Sequence, residues 1–139
     1  MSRQKFTIAV VDDDVRILES LENLLDSAGH AVCVFSSANS FLAGQAPSQV
    51  DCLIADIGLP QLDGFELRRL VRERRPNLPV IFITGRHEIS DERRAASEGH
   101  QGFFRKPFDA SVLLAVVNKA VLASRGVDED GSGSGNSGS

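Results

Sequence analysis

The sequence predicts an α/β fold: a doubly wound, five-stranded parallel sheet with helices on both faces, in a single domain. Three observations point to it. Short β-rich apolar runs alternate with amphipathic segments five times in succession, the pattern of consecutive β–α units. The run LPVIFIT at 78–84 is continuously apolar, as a central strand covered on both faces must be. Several of the runs end at acids or a hydroxyl, so polar chemistry gathers at one edge of the sheet.

The elements follow in order. FTIAVV (6–11) is a strand stopped by three aspartates. Residues 15–28 place Val15, Leu18, Leu21, Leu24, Leu25 and Ala28 at i, i+3 and i+4 spacing, one face of a helix, and Gly29 ends it. HAVCVF (30–35) is a second strand, and Ser37–Ala46 a weaker helix with Pro47 beyond it. VDCLIAD (50–56) is a third strand ending in Asp56. Asp63 opens the next helix, with Glu66 three residues on as in a capping box, and Arg75-Pro76 closes it. Strand 78–84 ends at Thr84; a polar helix spans 88–98 and stops at Gly99. GFFR (102–105) is the last strand, and Asp109 caps a final helix over 110–123.

A length of 139 residues suits one core, with 42% hydrophobic and 24% charged residues as in soluble globular chains. The expected division is a folded domain over 1–127 and a flexible tail over 128–139. The tail is acidic at Asp128, Glu129 and Asp130, then reads GSGSGNSGS, either a natural linker or an engineered scar. Those three acids supply most of the net charge of −4. The remainder is nearly balanced, which gives no basis for binding nucleic acid or a membrane surface. No apolar run reaches the roughly 18 residues of a membrane span, and no signal peptide is read at the start. Cys33 and Cys52 sit inside apolar runs and read as reduced core thiols, consistent with a cytoplasmic protein.

The first strand delivers Asp12, Asp13 and Asp14 to the carboxyl edge of the sheet; the third delivers Asp56, the fourth Thr84, and the fifth is followed at once by Lys106. Singly, each has an ordinary explanation: a helix cap, a turn acid, a strand-end threonine, a surface lysine. Jointly, those explanations must coincide at four strand ends. The chemistry is coherent. Crowded carboxylates repel one another unless a cation sits among them. Mg²⁺ favours carboxylate oxygen and meets phosphate through one or two protein carboxylates. A carboxylate nucleophile forms an acyl phosphate, and metal, lysine and hydroxyl stabilise the transferring group.

At these residues the chain resembles the receiver domain of two-component response regulators, closest in style to receivers with a LuxR-type helix-turn-helix output. The matching pieces are VVDDD (10–14), LIADIGLPQLDG (53–64), VIFITG (80–85) and RKPF (105–108), in the family's order and spacing. The resemblance spans about residues 4–124 and implies the flavodoxin-like strand order 2-1-3-4-5. It implies that Asp56 accepts the phosphoryl group, that Asp12 and Asp13 hold Mg²⁺ with the backbone carbonyl of Gly58, and that Lys106 pairs with the phosphoryl group. It also implies a cis Lys106-Pro107 bond, a Thr84 hydroxyl that moves to the phosphate, and Phe103 as an aromatic switch.

The implied donor is a sensor histidine kinase or phosphotransfer protein. The implied output surface is 88–123, which includes a contact for homodimers. The implied activity is signalling, with the chain assisting its own phosphorylation and dephosphorylation but acting on no external substrate. Gly58 and Arg86 stand two residues after Asp56 and Thr84, where side chains tune phosphate lifetime in the family. The arginines at 68, 69, 72 and 75 surround a helix whose Leu67, Leu70 and Val71 go inward, and read as its solvated face. The last helix carries more apolar residues than one buried stripe needs. Two competing readings are weaker. An aspartyl-phosphate phosphatase would continue D-x-D (Asp12, Asp14) with Thr or Val where Arg16 stands. A phosphorylation-independent interaction module would be expected to lack the acid pair or the lysine. Neither G-x-G-x-x-G nor a P-loop is present.

Overall fold

A computed structural model describes residues 6–85, 89–98 and 102–130, with 89–92, 98 and 124–130 described by their backbone alone. The order is β1 (Thr7–Val11), α1 (Val15–Ser27), β2 (Ala31–Phe35), α2 (Ala38–Ala43), α3 (Ala46–Gln49), β3 (Cys52–Asp56), α4 (Gly64–Arg74), β4 (Val80–Thr84), α5 (Ile89–Glu98), β5 (Gly102–Arg105) and α6 (Ala110–Asp130). The five strands form one parallel sheet in the order β2-β1-β3-β4-β5. The expected fold class and strand order are therefore observed.

Strand alternation divides the core in two. Ile8, Val10, Ile54, Ile81 and Ile83 point to one face, where Leu18, Leu21 and Leu25 of α1 and Leu113, Val117 and Val121 of α6 cover them. Ala9, Val11, Leu53, Ala55 and Phe82 point to the other, covered by Phe41 of α2, Phe65, Leu67 and Val71 of α4, and Ala95 of α5. Adjacent residues of β5 part company: Phe103 packs on the second face and Phe104 on the first. The spacing read as a helix stripe in α1 is the stripe that is buried, except that Val15, at its first turn, is exposed.

The differences from expectation are at element ends. Four strands begin one or two residues after their apolar runs do, because Phe6, Val50 and Leu78 are buried before they join the hydrogen-bond ladder. Apolar runs report burial; the ladder starts later. Pro47 does not merely follow a helix: it sits in the first turn of α3, where its missing N–H costs nothing. Leu70, expected to face inward, is 39% exposed; Leu67 and Val71 beside it are buried, with Phe65 at the start of the helix. The final helix runs past residue 123 to Asp130, because the single Gly126 is too weak a breaker without a proline behind it. Residues 131–139 and the stop at Gly99 lie outside the described residues. No helix among the described residues is long and apolar enough to cross a membrane.

Asp63 caps α4 as its spacing foretold: its carboxylate accepts from Glu66 N at 2.9 Å, and Glu66 returns a bond from Asp63 N at 3.2 Å. That helix starts hard against β3. Gly64 N donates to Ile57 O at 3.1 Å, and a Cβ on Gly64 would lie 2.7 Å from the carbonyl oxygen of Asp56. Only glycine permits so close a seat. Gly64→Ala should therefore destabilise the protein by about 2 kcal/mol in urea denaturation, the clash with backbone outweighing the better helix propensity of alanine.

Candidate functional site

The sheet's strand order reverses between β1 and β3, and the carboxyl ends of those strands border the crevice this creates. Asp12 and Asp13 follow β1, and Asp56 is the last residue of β3. The parallel register that aligns Val11 with Ala55 brings these acids side by side. Carboxylate oxygens of Asp12, Asp13 and Asp56 all lie within 4.8 Å of one another. Asp12 is fully buried, Asp56 is 5% exposed, and Asp13 faces solvent.

Lys106, just beyond β5, reaches into this cluster. Its Nζ is 2.9 Å from Asp12 Oδ2 and 3.6 Å from Asp56 Oδ2. The Lys106 backbone is fixed by its N–H donating to Thr84 O at 2.7 Å, and Lys106-Pro107 is cis as expected. The other oxygens are held locally: Asp12 Oδ1 accepts from Asp14 N at 2.8 Å, and Asp56 Oδ1 from Gly58 N at 3.1 Å. Asp14 itself turns outward to cap α1 through Arg16 N, so the third acid of the run is structural.

Thr84 is fully buried at the end of β4, beside the strand that ends in Asp56. Phe103 is not among the residues that meet at the carboxylates. It lies half-buried on β5, packed against the same apolar cluster as Phe65 and Phe82, with the Arg105 guanidinium 5.6 Å from its ring centre. Arg86 lies outside the described residues. Sequence reasoning missed the role of Gly64, whose only signal was the Asp-Gly pair opening α4.

The electrostatics follow from crowding. Burial raises the Asp56 carboxyl above the ordinary carboxylate range, and the negative charges of Asp12 and Asp13 push the same way; the Gly58 N–H and Lys106 offset this in part. Desolvation alone would lower the Lys106 ammonium, but the Asp12 and Asp56 carboxylates outweigh it and hold it above its usual value. The site therefore carries three acids against one ammonium, with oxygen donors spaced so that they can hold a metal ion.

Comparison with known proteins gives the same picture. The family model of the response regulator receiver domain matches residues 8–118. The response regulator protein TodT of Pseudomonas putida is 36% identical over 121 residues, 87% of this chain and 53% of its own length. The transcriptional regulatory protein FixJ of Bradyrhizobium diazoefficiens is 33% identical over 114 residues, 82% of this chain and 56% of its own. The chain thus spans about half the length of these curated relatives. Among solved structures, a response regulator receiver domain protein from Clostridium thermocellum superposes with a TM-score of 0.78 at 28% identity, over 88% of this chain and 98% of that one.

Because Asp56 binds its proton more tightly in the folded chain than in the unfolded one, its contribution to stability is full below about pH 4 and is lost as pH rises through the raised folded value. In metal-free buffer Asp56→Asn should remove that loss. The variant should be more stable than the wild type at pH 7 and lose its advantage near pH 4, as measured by denaturation across the pH range.

Proposed function

The chain belongs to the response regulator receiver family, a phosphoacceptor signalling module of two-component systems, and on that premise we propose that Asp56 is its phosphoacceptor and that Asp12, Asp13 and Asp56 hold Mg²⁺. The observation that carries the reading is the Lys106 ammonium, 2.9 Å from Asp12 and 3.6 Å from Asp56, where three carboxylates crowd together.

The donor set fits the ion. All three side chains offer carboxylate oxygen, which suits a hard divalent cation, and one ammonium leaves their charge under-neutralised. The Gly58 backbone carbonyl would complete the protein ligands. When bound, Mg²⁺ would supply positive charge for the oxygens of the transferring phosphoryl group.

The protein's own groups do the rest. An Asp56 carboxylate oxygen attacks phosphorus; the P–N bond of a phosphohistidine breaks and its imidazole nitrogen recovers the electron pair and takes a proton. Lys106 neutralises charge on the phosphoryl oxygens, which is positioning plus electrostatics rather than covalent help. Thr84 donates its hydroxyl to the product, and Phe103 turns into the space this leaves. Water attack on the acyl phosphate reverses the modification, with the same groups assisting.

Receiver domains take their phosphoryl groups from histidine kinases or phosphotransfer proteins, and we assign such a donor, in the cytoplasm, to this chain. The output surface would be 88–123. Exposure of Val112 (49%) and Leu122 (57%) on α6 supports a packing partner there, including a second copy. A helix-turn-helix output suits a chain whose relatives include a transcriptional regulatory protein.

Incubation with a small phosphodonor and Mg²⁺, read by intact mass, should give one phosphoryl adduct on the wild type. Asp56→Ala should give none, and an adduct at full yield in that variant would refute the assignment. Lys106→Ala should slow adduct formation by about 10²-fold. Mg²⁺ at a hundred times its dissociation constant should stabilise the wild type by about 2.7 kcal/mol, and Asp13→Asn should sharply weaken this in thermal melts.

A further inference from the structure

Helix α5 is described in its side chains over residues 93–97. Of its described side chains only Ala95 is buried; Arg93, Ala96 and Ser97 face solvent. Among these described side chains, one that reaches another element anchors more than the methyl group of Ala95. Arg94 is that side chain. Its guanidinium carbon lies 4.4 Å from the centre of the Phe65 ring, and its Nη1 is 3.9 Å from Asp63 Oδ2. Both targets lie at the start of α4. A planar guanidinium can stack on a ring and face a carboxylate together, which an ammonium does poorly.

That end of α4 cannot move independently of the phosphoacceptor strand. Gly64 N is bonded to Ile57 O at 3.1 Å, and the Gly64 Cα is pressed so close to the Asp56 carbonyl that no Cβ would fit. Phe65 also packs at 4.9 Å on Phe82, two residues before Thr84 on β4. One side chain of α5 thus rests on a ring linked to two of the strands that end in the site, β3 and β4.

We propose that Arg94 is a positioning residue that ties α5 to the Asp56 site through Phe65 and the Asp63–Gly64 turn, so that modification of Asp56 is felt by α5 along this contact. The proposal rests on the reading of Asp56 as phosphoacceptor. The pair with Asp63 is partly exposed (40% and 32%), so it adds little to global stability. Its effect is in coupling, and coupling is what must be measured.

The test uses the full chain with Mg²⁺ and beryllofluoride, a tetrahedral phosphoryl mimic, and reads hydrogen exchange of the α5 amides. In the wild type the mimic should change their exchange. Arg94→Met, which keeps the reach but not the charge, should bind the mimic within about threefold of wild type yet lose about two-thirds or more of the α5 response, and Arg94→Lys should retain part of it. Phe65→Leu should weaken the same response, and adding Arg94→Met to it should cost little more, as expected of residues on one path. A full α5 response in Arg94→Met, or additive effects of the two changes, would overturn the proposal. So would loss of mimic binding in Arg94→Met, or failure of both Arg94→Met and Arg94→Gln to fold. Failure of the wild type to take up the mimic would instead bring down the Asp56 assignment, and this inference with it.

Discussion

A single ammonium group holds the carboxyl edge of this sheet together. Asp12 has no exposed surface and Asp56 almost none, and Lys106 between them offsets part of the cost of burying both carboxylates. The lysine is delivered from the far side of the sheet: β5 lies two strands from β3 and three from β1. Its backbone is clamped to the end of β4 through Thr84 O. Groups from the ends of four separate strands therefore converge on one contact of opposite charges. That contact is incomplete: one positive charge faces three carboxylates, an imbalance that a divalent cation could offset.

Much of this was legible in the chain. Strand ends marked by acids, a hydroxyl and a lysine could be placed on one edge because a parallel sheet puts all carboxyl ends together. The capping box at Asp63 and Glu66 was readable because it is local, and it is present atom for atom. Other features were not readable because their causes are distant in sequence. Nothing in GFELRRL announces that Arg94, some thirty positions on, lies over the Phe65 ring. Nor does the sequence around Arg75 reveal that its Nη1 donates to the carbonyls of Pro47 and Val50, bracing the short α3 segment, which lies mostly beyond the helix expected over 37–46. Leu70 illustrates the same limit: a stripe two residues wide can be read with its edge on the wrong side.

The two faces of the sheet are built differently. One is sealed by the long aliphatic stripes of α1 and α6, which interlock with isoleucines and valines. The other combines aromatic rings with the short α2 and α3 helices and a helix, α5, held by one alanine and one arginine among its described side chains. The two faces therefore differ in kind, one of interlocked aliphatic helices and one of rings and short helices. The neighbours Phe103 and Phe104 mark the division, since the sheet sends one ring to each face.

The burial of Cys52 gives the protein an internal gauge. Its thiol lies on the central strand β3, with no exposed surface, and is pushed up to about 12 by desolvation and by the charge of Asp51. At neutral pH it is neither accessible nor ionised, so it is chemically silent while the sheet is intact. Alkylating reagents can reach it only when the packing of α1 and α6 over β3 opens. The rate of its modification therefore counts openings of the strand that carries Asp56, whereas the half-buried Cys33 on the edge strand β2 answers to milder fluctuations of the rim.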